Sequence, residues 1–282
     1  MHPEGSQEKR DRVLSPANEF IERLIRGESF ERGAGVAVVV AHQDDESIAF
    51  GAQLPKLPEA LMVHVTDGAP NDEKEWKGKG FKSKEDYAET RRRELTDALN
   101  IVGHSGERVS LGIPDQGASA VLAQTAKRLA DMFRAQGIHT VLTHAYEGGH
   151  PDHDATAFAV HAAQKIIEKE GGTLTIIEAP LYRPVDGVST KQSFAPADTE
   201  TYMIPLTVDQ QELKQKLYDA HGSQRDAFAE MSTRHEWLRE APPYSFTELP
   251  NNGQVSRLYR EAGLDTEWTN RTSTALEELS SS

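Results

Sequence analysis

The chain has 282 residues, 37% of them hydrophobic and 27% charged, which suits one large α/β domain or two small ones with a core of ordinary size. A formal net charge of -14 argues against binding to phosphate backbones and to anionic membranes, so neither nucleic acid nor membrane is expected as a partner. With no cysteine, any metal must be held by histidine and carboxylate.

The first thirty positions, from Glu8-Lys9-Arg10-Asp11 to Arg23 and Arg26, lack the continuous apolar stretch of a signal peptide, and no later segment is long enough to span a bilayer. A cytoplasmic protein is expected. The clearest strand is Val36-Ala37-Val38-Val39-Val40-Ala41, a run of small and β-branched residues suited to a parallel strand buried on both faces, and it ends abruptly at His42-Gln43-Asp44-Asp45-Glu46. A second run, Leu61 to Val65, stops at Thr66-Asp67-Gly68. The segment Asn71 to Lys84 has little periodicity and reads as a long surface loop of the kind that forms lids. Helical spacing follows over Glu85 to Val102, with Tyr87, Leu95, Ala98, Leu99 and Val102 on one face, and over Val121 to Gln136, with Leu122, Leu129 and Phe133. A third strand, Ile138 to Leu142, delivers Thr143-His144 at its end, and Asp154 to Lys169 continues as helix. From about Glu240 the pair Pro242-Pro243, the run Pro250-Asn251-Asn252-Gly253 and the terminal serines mark an irregular tail.

Strands alternating with helices of this length predict βαβ crossovers, hence an α/β, Rossmann-like fold with a mostly parallel sheet, helices on both faces and the site at the C-terminal ends of the strands. The expected organisation is a single domain over 1–282, with a core of about 35–224, an N-terminal extension and the irregular tail.

Two segments carry the chemistry: Ala41-His42-Gln43-Asp44-Asp45-Glu46 and His150-Pro151-Asp152-His153-Asp154, each just after a predicted strand. Taken singly, each is as well explained by acids favoured in a first helical turn or at an N-cap. Together, at strand ends of one sheet, they supply two histidines and a carboxylate around an open position, a catalytic zinc arrangement. A dinucleotide-binding reading fails on placement, because Gly33-Ala34-Gly35 precedes the first strand instead of following it.

The two segments resemble the paired motifs of the PIG-L/LmbE-type zinc-dependent N-acetylglucosaminyl deacetylases, written A-H-P-D-D-E and H-P-D-H. Further similarity follows at Thr66-Asp67-Gly68, at Arg91-Arg92-Arg93-Glu94-Leu95 before Val102-Gly103, at Leu111-Gly112-Ile113-Pro114-Asp115 and at Ser223-Gln224, so that it runs from about Gly35 to Gln224. The resemblance implies His42, Asp45 and His153 as zinc ligands, Asp44 as general base, His150 as the group that steadies the oxyanion or protonates the leaving amine, and Asp152 as a carboxylate that tunes it. It also implies sugar contacts from Arg91 and Asp115, although Arg91 also suits a solvated helix face and Asp115 a turn. Tyr146, in the loop leading to His150, is a further candidate for contact with substrate. Gln43 stands where the family has proline, which removes a fixed φ and leaves the ligands in place.

The activity so implied is hydrolysis of the N-acetyl group of an N-acetylglucosamine-like unit in a small amino-sugar conjugate, giving acetate and a free amine. Zinc is the expected cofactor, and iron(II) can occupy similar ligands. Two alternatives stand beside it: a catalytically idle sugar-binding module of the same fold, and a deacylase acting on a non-sugar amide. The sequence allows a homo-oligomer. His64, His139, His161, His221 and His235 have no partner motif and are expected to be packing or surface residues, with Glu46 supporting the site.

Overall fold

The computed structural model describes residues 14–31 and 33–281. In chain order the elements are α1 (Pro16–Ile25), β1 (Val36–Val40), α2 (Asp45–Phe50), β2 (Leu61–Pro70), α3 (Glu73–Gly78), α4 (Lys84–Ile101), β3 (Arg108–Asp115), α5 (Leu122–Gln136), β4 (Thr140–His144), α6 (Pro151–Lys169), β5 (Thr175–Ala179), β6 (Tyr182–Val185), β7 (Val188–Lys191), β8 (Thr201–Pro205), α7 (Val208–Ala220), α8 (Arg225–Phe228), β9 (His235–Glu240), α9 (Arg257–Glu261) and α10 (Leu264–Ser280).

Seven strands form one sheet in the order β3-β2-β1-β4-β5-β9-β8. The first five are parallel, Val38 lying opposite both Met62 and Leu142, and β9 and β8 add an antiparallel edge. β6 and β7 form a separate hairpin. Strands buried on both faces need apolar side chains in both directions, and β1 supplies them. Val36, Val38 and Val40 pack with Ile21 of α1, Leu95 and Leu99 of α4 and Leu217 of α7. Ala37 and Val39 pack with Leu129 and Phe133 of α5 and Phe158 of α6. Helices therefore cover both faces, as the alternation of elements predicts. Each fully buried Val, Leu or Phe contributes roughly 1.5–3 kcal/mol relative to exposure, so the two layers together fix the sheet.

Three segments differ from the sequence expectation. The N-terminal extension is helical over α1: Ser15 caps it by accepting from the Asn18 N–H, Pro16 opens it, and Phe20, Ile21 and Leu24 are buried. The expected loop over Asn71 to Lys84 contains α3, whose Trp76 packs with Ala69 and Tyr87. The tail after Glu240 is irregular to Ser256 apart from one short helical turn, but α9 and α10 then follow, and α10 lays Leu264, Trp268, Ala275 and Leu279 on the layer formed by α5 and α6. No helix among the described residues is long and apolar enough to cross a membrane.

Candidate metal centre

The parallel strands β1 and β4 end side by side and deliver their last residues to one point. Ala41, just past β1, donates its N–H to His144 Nε2 at 2.9 Å, which joins the two strand ends. The chain then turns through His42 and Gln43 into α2. Gln43 Nε2 donates to the Thr66 carbonyl at 2.9 Å, so the residue in place of proline ties this turn to β2. Gly68 has φ 69°, and a Cβ there would meet Gln43 Oε1 and the Arg91 guanidinium, which explains the glycine.

None of the motif acids is spent on capping its own helix. Asp44 precedes α2 without a side-chain cap bond, and its Oδ1 lies 3.0 Å from Arg91 NH2. Asp45 Oδ2 accepts the His42 N–H at 2.7 Å. At the second motif the cap of α6 is His150, whose Nδ1 accepts the Asp152 N–H at 3.1 Å. The neutral His150 ring therefore carries its proton on Nε2. Asp154 accepts from the Glu147 and Gly148 N–H groups and from the Tyr259 hydroxyl, fixing the loop before His150.

These elements bring His42, Asp44, Asp45, His150, Asp152 and His153 together, all buried. His42 Nδ1 is 3.3 Å from Asp45 Oδ2, and its Nε2 is 3.1 Å from Asp115 Oδ1 and 3.3 Å from Asp152 Oδ2. His153 Nε2 is 3.3 Å from Asp45 Oδ1. Three overlapping groups have ligand atoms within 4.8 Å of one another: His42, His150 and His153; His42, Asp115, His150 and Asp152; and Asp45, His144 and His153. The expected set of His42, Asp45 and His153 straddles the first and the third, which share His153. His144 is the weaker ligand, because its Nε2 already accepts from Ala41.

Burial disfavours the charged form of His42, yet Asp115, Asp152 and Asp45 outweigh it and hold its pKa well above the usual value. Burial likewise opposes the Asp45 carboxylate, but His153 and His144 hold it well below the ordinary range. Burial pushes His153 down to about 4 and His150 to about 3, so both rings are neutral at pH 7. A neutral His153 thus turns Nε2 toward an ionised Asp45 while its Nδ1 is buried without a partner. A cation between nitrogen and carboxylate would satisfy both, and the imidazole and carboxylate donors suit a divalent metal.

Asp44 is raised by burial, which Arg91 partly offsets. Arg91 is itself buried and also donates to the Gly68 carbonyl at 2.7 Å, so it is no solvated helix face. Asp115 lines the same cleft, and the His42 and Arg91 cations keep it ionised against its burial. Asp152 sends its carboxylate to His42 and to the N–H groups of Gln116 and Ala118; it reaches His150 only through its backbone N–H.

Tyr146 does not face the cleft. Its hydroxyl donates to the Glu248 carbonyl at 2.6 Å and accepts from Trp268 Nε1, within the aromatic layer of Tyr244 and Phe246. Tyr182 takes a place beside the site instead, its ring centroid 5.3 Å from that of His153. Burial, then Asp45 and Asp44, raise its pKa well above the usual value, which keeps the phenol protonated. Gly149 approaches so closely that a Cβ there would fall on the Tyr182 carbonyl oxygen. Sequence reasoning also missed the partners of Glu46: His64 Nε2 is 3.1 Å away and His221 Nε2 3.6 Å, so these two histidines are neither surface nor simple packing residues. The cleft encloses about 310 Å³, and Lys191, Gln224, Asp226 and Glu230 complete its rim.

Residues 37–164 match the family model of the GlcNAc-PI de-N-acetylases, PIG-L. None of the curated protein sequences matches. Among solved structures, the zinc inhibited form of teicoplanin deacetylase aligns with a TM-score of 0.55 at 16% identity, over 72% of this chain and 96% of that one. The N,N'-diacetylchitobiose deacetylase of Pyrococcus horikoshii aligns with a TM-score of 0.51 at 20% identity, over 78% and 84%. A 4-carboxy-2-hydroxymuconate hydratase of Pseudomonas putida aligns with a TM-score of 0.51 at 18% identity, over 74% and 97%. These likenesses establish the mostly parallel α/β fold of the LmbE-like deacetylases.

Proposed function

We propose that the protein is a metal-dependent N-deacetylase that hydrolyses the N-acetyl group of an N-acetylglucosamine-like unit in a small glycoconjugate, releasing acetate and a free amine. The observation that carries this reading is the convergence, on one cleft, of a His and Asp cluster fit for a metal with an acid beside it, Asp44, and a neutral ring whose free nitrogen bears a proton, His150. The match of residues 37–164 to the PIG-L family model and the two deacetylases of like fold support it.

His42, Asp45 and His153 would hold the metal, which supplies Lewis acidity to an amide carbonyl and to water. Zinc suits two imidazoles and a carboxylate, and iron(II) is its rival. Asp44 takes the proton from the attacking water. Arg91, paired with Oδ1, fixes the orientation of that carboxylate and favours its ionised form against the burial that raises its pKa. His150 donates Nε2–H toward the oxygen on which negative charge grows. Neutral hydrogen bonding replaces the charged imidazolium that a solvent-exposed histidine would offer, because burial disfavours that charge. Asp115, and Arg91 through its remaining N–H groups, would meet sugar hydroxyls, and Tyr182 adds a protonated phenol to the lining of the same cleft.

The test is release of free amine from a panel of N-acetylated glycoconjugates by purified protein reconstituted in turn with zinc and iron(II). The zinc inhibited neighbour makes the choice of metal a real variable. Amine release from an amino-sugar substrate supports the reading. Metal uptake without turnover on the whole panel would contradict it and favour another chemistry on this fold, such as the hydration named for one neighbour.

A further inference from the structure

Beyond the Tyr182 wall lies a second cavity of about 470 Å³, and the two share Tyr182 and Lys191. Its charged lining is entirely basic: Arg183 from β6, Lys191 from β7, and Arg257 and Arg260 from α9. In a chain of net charge -14 a concavity with four cations and no carboxylate on its wall is a local reversal of sign. Resting on the deacetylase reading above, we infer that this cavity binds an oxyanion, carboxylate or phosphate, on the aglycone of the glycoconjugate whose N-acetyl group is cleaved next door.

The basic groups are free to take such a ligand. Arg183 spends three N–H groups on neutral acceptors only, the Ser193 and Phe194 carbonyls and the Asn251 side chain, and Arg260 donates to the Val255 carbonyl. Arg257 meets Glu261 at 3.2 Å and Lys191 meets Glu230 at 3.6 Å, but both acids are more than half exposed and stand off the cavity wall, where such pairs are weak. Guanidinium groups match carboxylate and phosphate with paired hydrogen bonds, so Arg183 and Arg260 remain competent to bind.

The cavity is also held open by the fold. Asn251 Nδ2 donates to the Pro184 carbonyl at 2.6 Å, and the Asp186 N–H donates to Gln254 Oε1 at 2.8 Å, which clamps the β6–β7 hairpin to the segment before α9. Glu147 Oε1 accepts the N–H groups of Leu181 and Tyr182, which anchors the start of that hairpin to the loop that carries His150. The route between the sites is short: the Tyr182 ring lies 5.3 Å from the His153 ring and 4.8 Å from Lys191 Nζ, and Lys191 borders both cavities. A conjugate with its acetamide at His150 and Asp44 extends past Tyr182 into the basic cavity.

The experiment compares the metal-loaded protein with its Arg257→Gln/Arg260→Gln double variant, two exposed positions whose change leaves the core alone. Both are titrated calorimetrically, and assayed for amine release, with the methyl glycoside, the glycolic acid glycoside and the 1-phosphate of N-acetylglucosamine. At least one anionic derivative should bind about tenfold or more tighter than the methyl glycoside, and the double variant should bring that ratio below about threefold. Preference for the glycolate or for the phosphate identifies the anion. Equal binding of all three, or a preference that survives in the double variant, overturns the subsite. Amine release from all three with equal kcat/KM removes the subsite and leaves the deacetylase reading standing, whereas an arginine-dependent binding preference without amine release keeps the subsite and removes that reading.

Discussion

Arg91 NH2 stands 3.0 Å from Asp44 Oδ1, so the acid proposed to move the proton is held by a cation from α4, an element far from it in sequence. This pair gives Arg91 a role apart from any sugar contact. Arg91→Gln should lower kcat by about tenfold to a hundredfold while metal content stays at the wild-type level. A positioning role also predicts a changed pH profile, because Asp44 loses the cation that offsets its burial and its pKa moves further up. The acid limb of kcat/KM should therefore shift to higher pH, whereas a residue that only contacts sugar would raise KM and leave that limb in place.

Asp44→Asn separates proton transfer from coordination. The variant should keep its metal and lose about a hundredfold or more in turnover. Wild-type turnover in folded, metal-loaded protein would remove Asp44 from the mechanism.

Much of this was legible in the sequence, and the exceptions have physical causes. β1 could be read because a strand buried on both faces must be continuously apolar, and the first motif because its polar residues interrupt that run abruptly; β4 was read two residues early, at Ile138 to Leu142, because its own buried residues include Thr140, Thr143 and His144. Tyr182 could not, since it reaches the cleft from a hairpin with no apolar periodicity, held there by Glu147 and by the absence of a side chain at Gly149. Tyr146 was misplaced because nearness in sequence to His150 says nothing about the direction of its ring, which Trp268 captures from 122 residues away. α10 was passed over because it buries only a narrow stripe in an otherwise polar segment, and α1 because it is short and follows a charged stretch of sequence. His64 and His221 converge on Glu46 only through the tertiary fold.

The role of α10 can be measured. Trp268 is fully buried, and its indole N–H is bonded to Tyr146. Trp268→Ala should destabilise the protein by about 3–5 kcal/mol in urea unfolding, as expected of a large aromatic removed from a core. A change of only a few tenths would show that α10 is an appendage.

His161 provides a pH test away from the metal. Its ring packs on Tyr244 and Phe246, Nε2 has no partner, and burial, helped by Lys165, pushes its pKa down to about 4. The unfolded chain takes up that proton near its usual value of about 6.5, before the folded chain does. The contribution is therefore fully present above pH 6.5 and is lost as pH falls toward 4. Wild-type stability should drop over this window by on the order of 2 kcal/mol more than that of His161→Leu, compared by denaturant unfolding at pH 7 and pH 4.5. Parallel pH dependence of the two proteins would contradict this burial.

The central claim is that one metal, held by His42, Asp45 and His153, works with Asp44 and His150 on an N-acetyl group. Its most direct test is a titration of chelator-treated protein with zinc or iron(II), recording amine release from an N-acetylated amino-sugar conjugate at each addition. The account predicts activity near zero without metal, a linear rise to a plateau at about one equivalent, and no such rise in His153→Ala. Full amine release by the chelator-treated protein, or an undiminished titration in His153→Ala, would contradict it.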